Sequence, residues 1–324
     1  MKKATLRRLM IVCFVAILAL GLNAGVSATQ CDNVIEGYME YMGGRTWYRI
    51  INPEKKAIPL ILIHGGPAAS HFYLEPLEAL GNERPVIVYD QQGCGFSDPL
   101  PDPAHWTIEF FVGELNQLIR KLDLKRYHLL GQSWGTVVAG EYALTEPKGL
   151  VSIIFAGPVF NVPRFIEDAR VLLKGLPEEL QEIIYWSEEN GIYDAAYDDA
   201  AMEYYKLYVC RLDPWPEPLW KTLEYLNPDI YAYMWGPAEF TVTGTLKDYD
   251  LTSELHRIKI PTLFTCGEFD ECTPGATKSQ QRLVPHSQLK IFKGCAHEVH
   301  LEKPEEYNRT VSRFLRKVEH KKHK

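Results

Sequence analysis

Short apolar runs recur along the chain and are followed by glycine-rich or acidic loops. Six of these runs are almost continuously apolar, as strands of a parallel sheet must be when both faces are buried. They cover residues 60–63, 86–89, 127–130, 151–155, 262–265 and 289–292. Ahead of them, residues 34–42 and 45–51 alternate between apolar and polar positions, which predicts two antiparallel strands joined by a tight turn at Gly43-Gly44.

Helical patterns occupy the intervals between these runs. Residues 108–122 repeat apolar side chains on one stripe, residues 136–144 follow a glycine-rich loop, and residues 304–318 have the spacing of a closing amphipathic helix. Strands that alternate with helices in this way predict an α/β fold with a mostly parallel, doubly wound sheet.

The alternation stops between residues 158 and 249, where Tyr, Trp, Glu and Pro become frequent and residues 177–186 and 195–209 have helical patterns. We predict a helical cap inserted between two core segments, residues 29–157 and 250–324. An insertion after the sixth strand lies over the carboxyl ends of the strands, so some of its aromatic residues should line a cleft. The others should form the core of the cap. The aromatic residues concerned are Tyr204, Tyr205, Trp215, Trp220, Tyr231 and Trp235.

Residues 1–28 have the pattern of an export signal. Four basic residues precede an apolar run at 9–22, and small residues follow near Ala28. We expect cleavage there and an exported protein, secreted or periplasmic. The alternative is an uncleaved segment that anchors the chain in the membrane, because the run is close to the shortest length that spans a bilayer. Gln30 is too large for the usual lipoprotein cleavage site before Cys31.

Charge and cysteine content narrow the classes of partner and ligand. A formal net charge of -7 provides no basic field, so no nucleic-acid partner is expected. Export makes disulfides possible, and buried free thiols are an equal alternative. The six cysteines beyond the signal match no zinc-binding spacing: Cys31, Cys94, Cys210, Cys266, Cys272 and Cys295.

The strongest chemical signal is Gly131-Gln132-Ser133-Trp134-Gly135, which lies directly between a predicted strand and a predicted helix. In that context, G-x-S-x-G forms a turn so tight that only glycine fits beside it, and the serine hydroxyl is held exposed at a strained backbone angle. We therefore predict Ser133 as a nucleophile.

A serine hydroxyl needs an adjacent base and a group that orients the base. Asp270 follows the strand at 262–265, and His297 follows the strand at 289–292. Loops at the carboxyl ends of parallel strands meet at one edge of the sheet, so we predict Ser133, Asp270 and His297 as a catalytic triad.

Two further histidines have other predicted roles. His64 begins His64-Gly65-Gly66-Pro67, a loop of the kind that directs backbone N–H groups at an oxyanion, so Gly66 and Trp134 are the predicted donors and His64 supports the loop. His297 and His300 could suggest a metal pair, but they do not form H-E-x-x-H. No metal and no other cofactor is expected.

These motifs, together with Asp90-Gln91-Gln92-Gly93-Cys94-Gly95-Phe96-Ser97 and Gly236-Pro237-Ala238-Glu239-Phe240, resemble the proline iminopeptidase family of α/β-hydrolases. The resemblance implies the α/β-hydrolase fold and release of an N-terminal residue, often proline, from short peptides or aminoacyl compounds. It also implies that Glu239 and Glu271 bind the α-ammonium group of the substrate. Carboxylates in a cleft suit that role because they accept charge-assisted hydrogen bonds from the ammonium group.

The chain also departs from the family pattern. Ala68 and Ala69 replace the usual glycine after Pro67, Gln92 replaces arginine, and Thr136 replaces glycine. Small changes near the oxyanion loop reshape the adjacent pocket, so the preferred N-terminal residue stays open. An esterase, lactonase or amino-acid amidase is the nearest alternative function, and a non-catalytic binding protein of the same shape is a remote one.

Overall fold

The computed structural model describes residues 33–321. The predicted export signal and Cys31 lie outside the described residues. Among the residues described, eight strands form one sheet in the order β1-β2-β4-β3-β5-β6-β7-β8. The strands are β1 (Val34–Tyr41), β2 (Gly44–Ile51), β3 (Leu60–Ile63), β4 (Val86–Tyr89), β5 (Tyr127–Gln132), β6 (Leu150–Ala156), β7 (Thr262–Gly267) and β8 (Gln288–Phe292).

The first hairpin is antiparallel, as predicted, but its turn was placed wrongly by one residue. Tyr41 pairs with Gly44, so the two-residue turn is Met42-Gly43, with φ values of 47° and 86°. A turn of this type needs positive φ at both central positions. Gly44 belongs to β2, where an added β-carbon would lie 2.7 Å from the side chain of Gln92.

Ten α-helices are present in the described part of the chain. They are α1 (Ile108–Lys121), α2 (Trp134–Leu144), α3 (Val162–Leu173), α4 (Glu178–Asn190), α5 (Ala195–Tyr208), α6 (Glu217–Tyr225), α7 (Pro228–Met234), α8 (Pro274–Leu283), α9 (Val299–Glu302) and α10 (Pro304–Lys321). Several start at a side chain that accepts a hydrogen bond from the first turn, such as Thr107 before α1 and Thr273 before α8. Within residues 33–321, no helix combines the length and the apolar composition that crossing a bilayer requires.

The five central strands, β3 to β7, are buried on both faces, whereas the edge strands β1 and β8 are partly exposed. All four residues of β3 are inaccessible, and they alternate between two cores: Ile61 and Ile63 pack with α1 and α2, whereas Leu60 and Leu62 pack with α10. Helices on both faces of a mostly parallel sheet confirm the predicted α/β class. This packing fixes the strand ends from which the site is built.

Helices α3 to α7 lie between β6 and β7, where the sequence predicts a cap. They have a small core of their own around Tyr197, Tyr204 and Phe240. Trp235 packs instead with the main core. Four other aromatic residues of this segment line a cavity: Tyr205, Trp215, Trp220 and Tyr231.

Candidate active site

Ser133 lies at the sharp turn between β5 and α2. Its backbone angles are φ 53° and ψ −123°, a conformation that L-residues rarely adopt. A β-carbon at Gly131 would lie 2.2 Å from the carbonyl oxygen of Gly135, and one at Gly135 would lie 2.2 Å from that of Ile63. The two glycines are therefore required for the close packing that holds Ser133 in this turn.

His297 and Asp270 are brought together from the loops after β8 and β7. Nδ1 of His297 lies 2.7 Å from Oδ1 of Asp270, and both side chains are buried. The same oxygen accepts a hydrogen bond from the Cys272 amide at 2.8 Å, and Oδ2 accepts one from the Gly267 amide at 3.2 Å. The carboxylate is fixed in place, and it directs the other ring nitrogen of His297 away from itself.

Ser133 and His297 line the same cavity. Nε2 of His297 is buried and has no hydrogen-bond partner in the described part of the chain, Ser133 included. Burial opposes protonation of the ring, but the charge and hydrogen bond of Asp270 outweigh it, so the pKa of His297 is raised. In free enzymes the bond between nucleophile and base is often long and shortens when substrate binds.

The loop after β3 lies beside Ser133, since a β-carbon at Gly65 would be 3.0 Å from that of Ser133. His64 is buried, and its Nε2 accepts a hydrogen bond from the Gln91 amide at 2.9 Å. Gln91 also joins the loop to α2, because its side chain donates to the His64 carbonyl and accepts from Nε1 of Trp134. His64 thus braces the loop, as the sequence predicts, and burial lowers its pKa.

The amides of Gly66 and Trp134 are candidates for an oxyanion hole. Across residues 33–321, neither amide donates a hydrogen bond to another group. Trp134 is the first residue of α2, whose amino-terminal N–H groups also favour negative charge. The two unpaired donors therefore lie next to Ser133, one in the loop after β3 and one at the start of α2.

The cavity has a volume of about 870 Å³ and an aromatic, acidic lining. Its aromatic residues are Tyr73, Tyr205, Trp215, Trp220 and Tyr231, and its carboxylates are Glu224, Glu239, Glu271 and Glu298. No lysine or arginine of the described residues lines it. Such a cavity suits a small ligand that combines a positive charge with apolar surface.

Glu239 and Glu271 both face this cavity, Glu239 from the segment after α7 and Glu271 from the loop after β7. Glu271 is only 2% exposed, and its Oε2 has no hydrogen-bond partner in the described chain. Burial raises the pKa of both groups, and the proximity of Glu239 raises that of Glu271 further. The charge of His297 acts in the opposite direction on both groups, and no lysine or arginine within residues 33–321 lines the cavity beside them.

Glu298 is a cavity residue that the sequence interpretation missed. It is 6% exposed, and burial raises its pKa to about 8. Its position next to His297 is the signal in the sequence that could have identified it.

The structure brings together one cluster that could hold a metal among the residues it describes: Asp270, Cys272 and His297, with ligand atoms within 4.8 Å of one another. This cluster shares Asp270 and His297 with the predicted triad, and His300 is not part of it. Five cysteines are buried free thiols: Cys94, Cys210, Cys266, Cys272 and Cys295. The alternative of disulfides among these five is therefore wrong.

Sequence comparison identifies the family. The model of the alpha/beta hydrolase fold matches residues 58–304. A proline iminopeptidase of Heyndrickxia coagulans is 43% identical over 285 residues, which cover 87% of this chain and 99% of that protein. The chain belongs to the proline iminopeptidase family of α/β-hydrolases. The resemblance predicted from the motifs is confirmed, and the chain is a hydrolase.

Solved structures agree with this family assignment. The crystal structure of VinJ has a TM-score of 0.85 at 32% identity and matches 88% of this chain and 99% of its own. That of a proline iminopeptidase from Mycobacterium smegmatis has a TM-score of 0.82 at 35% identity and matches 88% of this chain and 98% of its own. The likeness therefore includes the cap segment as well as the sheet.

Proposed function

We propose that the chain is a serine aminopeptidase that releases the N-terminal residue of short peptides or aminoacyl compounds through an acyl-enzyme. The observation that supports this most strongly is the shared cavity, in which Ser133 and His297 lie with Glu239 and Glu271. A nucleophile and a site for a positive charge within one cavity are what cleavage next to a free α-ammonium group requires. The family membership supports proline as one accepted residue.

In the proposed mechanism, His297 takes the proton of Ser133 while Oγ attacks the carbonyl carbon of the N-terminal residue. The Gly66 and Trp134 amides stabilise the oxyanion that forms. His297 then protonates the leaving amine, so that the C–N bond breaks and the acyl group stays on Ser133. Water, deprotonated by His297, attacks this ester, and His297 returns the proton to Oγ of Ser133 as the C–O bond breaks and the free acid leaves. Asp270 keeps the imidazole in its working tautomer throughout. No cofactor is needed for these steps.

The cap limits the size of the substrate. Trp215, Trp220 and Tyr231 of the cap line the cavity together with Tyr73 of the core. A cavity volume of about 870 Å³ accommodates a few residues and is too small for a folded protein. Nucleic acid is not a proposed partner, because the cavity is lined by carboxylates and the chain has a formal net charge of -7.

We also propose that the enzyme is exported, on the basis of the basic, apolar and small-residue pattern of residues 1–28. Fractionation of producing cells, with N-terminal sequencing of the product, tests this. A soluble exported form beginning near residue 29 supports cleavage, and a full-length membrane-bound form supports the anchor.

A set of chromogenic substrates tests the proposed activity. We expect hydrolysis of alanyl and prolyl p-nitroanilides, and kcat/KM at least about 100-fold lower for N-acetyl-alanyl p-nitroanilide, because acetylation removes the charge that Glu239 and Glu271 bind. A neutral p-nitrophenyl ester serves as the control for the triad alone. If the acetylated substrate and the ester react well and the free amines do not, the esterase alternative replaces the aminopeptidase.

A further inference from the structure

Glu298 is a third buried carboxylate in the cavity that holds Ser133, beside Glu239 and Glu271. Its amide donates to the Val209 carbonyl at 2.9 Å, which ties the backbone to the end of the cap helix α5. Its side chain makes no hydrogen bond with any residue in 33–321, and Oε2 is fully buried. Glu298 takes no part in the bond-breaking steps of the proposed mechanism.

The histidine beside Oε2 does not neutralise it. Nε2 of His300 lies 3.4 Å away, also without a hydrogen-bond partner in the described chain. Burial lowers the pKa of His300 to about 3, so the ring is neutral at working pH. A buried carboxyl without a lysine or arginine of the described residues in its cavity is a site for a donor that arrives with the ligand.

Substrate amines differ in the number of N–H donors that they offer to such an acceptor. A primary α-ammonium group carries three N–H donors, whereas an N-terminal proline is a secondary ammonium with two. The three N–H bonds of a primary ammonium diverge, so a carboxylate on another side of the group can accept the N–H that a secondary ammonium lacks. Glu298 is a carboxylate of the same cavity that is near enough to raise the pKa of Glu271.

We propose that Glu298 accepts the third N–H of a primary α-ammonium group and so shifts the specificity of the site from N-terminal proline toward N-terminal residues with a primary amine. This inference rests on the proposed aminopeptidase function. It concerns which amine binds best, and leaves the bond-breaking steps unchanged.

Three substrates distinguish the effect of the number of N–H donors on kcat/KM from the effect of side-chain shape. Alanyl p-nitroanilide has a primary ammonium, N-methyl-alanyl p-nitroanilide has an acyclic secondary one, and prolyl p-nitroanilide has a cyclic secondary one. We expect Glu298→Gln and Glu298→Met to lower kcat/KM for the alanyl substrate about 10-fold or more, mainly through KM, because a hydrogen bond to a charged group is lost. For the other two substrates, kcat/KM should change by less than about 3-fold.

A matched control is Glu302→Gln. Glu302 belongs to the same segment, but its carboxylate accepts from the amides of Arg211 and Ala296 and does not line the cavity. The Glu302→Gln substitution should change kcat/KM for all three substrates by the same factor. Titration with a fluorophosphonate gives the concentration of active enzyme in each preparation, and Glu298→Asp, which retracts the carboxylate, replaces any variant that does not fold.

If the Glu298 variants lower kcat/KM equally for the three substrates, or change it for none of them, the proposed role of Glu298 is overturned. Absence of turnover of every free-amine substrate by the unaltered enzyme would overturn the aminopeptidase function itself. The two failures are therefore distinguishable.

Discussion

Nδ1 of His297 lies 2.7 Å from Oδ1 of Asp270, and the amides of Cys272 and Gly267 hold the same carboxylate. An acceptor at Nδ1 fixes the proton of the neutral ring on that nitrogen. Nε2 is then left as the acceptor for a proton from Ser133. The orientation of one buried carboxylate thus determines which imidazole nitrogen can act as the base.

Asp270→Asn should lower kcat by about 10³- to 10⁴-fold with little change in KM, because an amide can donate to Nδ1 and hold the ring in the wrong tautomer. Steady-state kinetics with alanyl p-nitroanilide measures this, and thermal unfolding checks that the variant is folded. A folded variant with a kcat within 10-fold of the original would show that Asp270 does not orient the base.

Replacement of both Glu239 and Glu271 by Gln should lower kcat/KM for aminoacyl p-nitroanilides by about 100-fold or more, since the charge that binds the α-ammonium group is lost. The kcat/KM for a neutral p-nitrophenyl ester should change by less than about 3-fold. Equal losses on the two substrates would show that these carboxylates support the fold or the triad in general.

Gly135→Ala should lower the free energy of unfolding by about 3 kcal/mol or more, because its β-carbon would meet the Ile63 carbonyl at 2.2 Å, where backbone would have to move. Gly275→Ala is the matched control. It lies in the first turn of α8, where the nearest atom to an added β-carbon is 3.8 Å away, so its unfolding free energy should stay within about 1 kcal/mol of the original. Urea denaturation measures both, and equal effects would contradict the packing described for the turn at Ser133.

Glu114 should make the stability of the protein depend on pH. It is fully buried on α1, where it accepts hydrogen bonds from Thr46 and the Gln92 amide, and burial raises its pKa from 4.5 to about 8. Between those two values the folded state holds a proton that the unfolded state has lost, so the free energy of unfolding falls as pH rises, by at most about 1.4 kcal/mol per pH unit for this group.

Glu114→Gln removes this titration and keeps an oxygen for both hydrogen bonds. Urea denaturation at pH 5, 6.5 and 8 should therefore show a shallower decline for the variant than for the original protein. If the free energy of unfolding falls equally with pH in the two proteins, Glu114 is already ionised in the folded state.

The sequence predicts the strands of the sheet well because their residues are buried on both faces, as in β3 and β6, and burial leaves continuous apolar runs. The hairpin turn is predicted less well, because backbone pairing determines which residues occupy it. Either Gly43 or Gly44 could occupy the hairpin turn by composition, and the pairing of Tyr41 with Gly44 selects Met42-Gly43 instead.

The predicted site residues follow strands whose ends meet at one edge, which is why Ser133, Asp270 and His297 could be proposed from spacing alone. Glu298 could not, because an acidic residue in a loop is normally exposed and nothing local shows that the cap covers it. Its burial depends on contacts between segments distant in sequence, such as the hydrogen bond from the Glu298 amide to Val209. Thr136 is similar: its hydroxyl donates to the Ser133 carbonyl and accepts from the Val159 amide, two bonds that only the folded chain reveals.

The central claim is that Ser133 is the nucleophile. The most direct measurement is labelling with a fluorophosphonate, followed by peptide mapping and parallel assay of alanyl p-nitroanilide hydrolysis. We predict a single adduct on the peptide that contains Ser133, activity lost in proportion to labelling, and neither labelling nor activity in Ser133→Ala. An adduct on another residue, or a Ser133→Ala variant that still hydrolyses the substrate, would contradict the account.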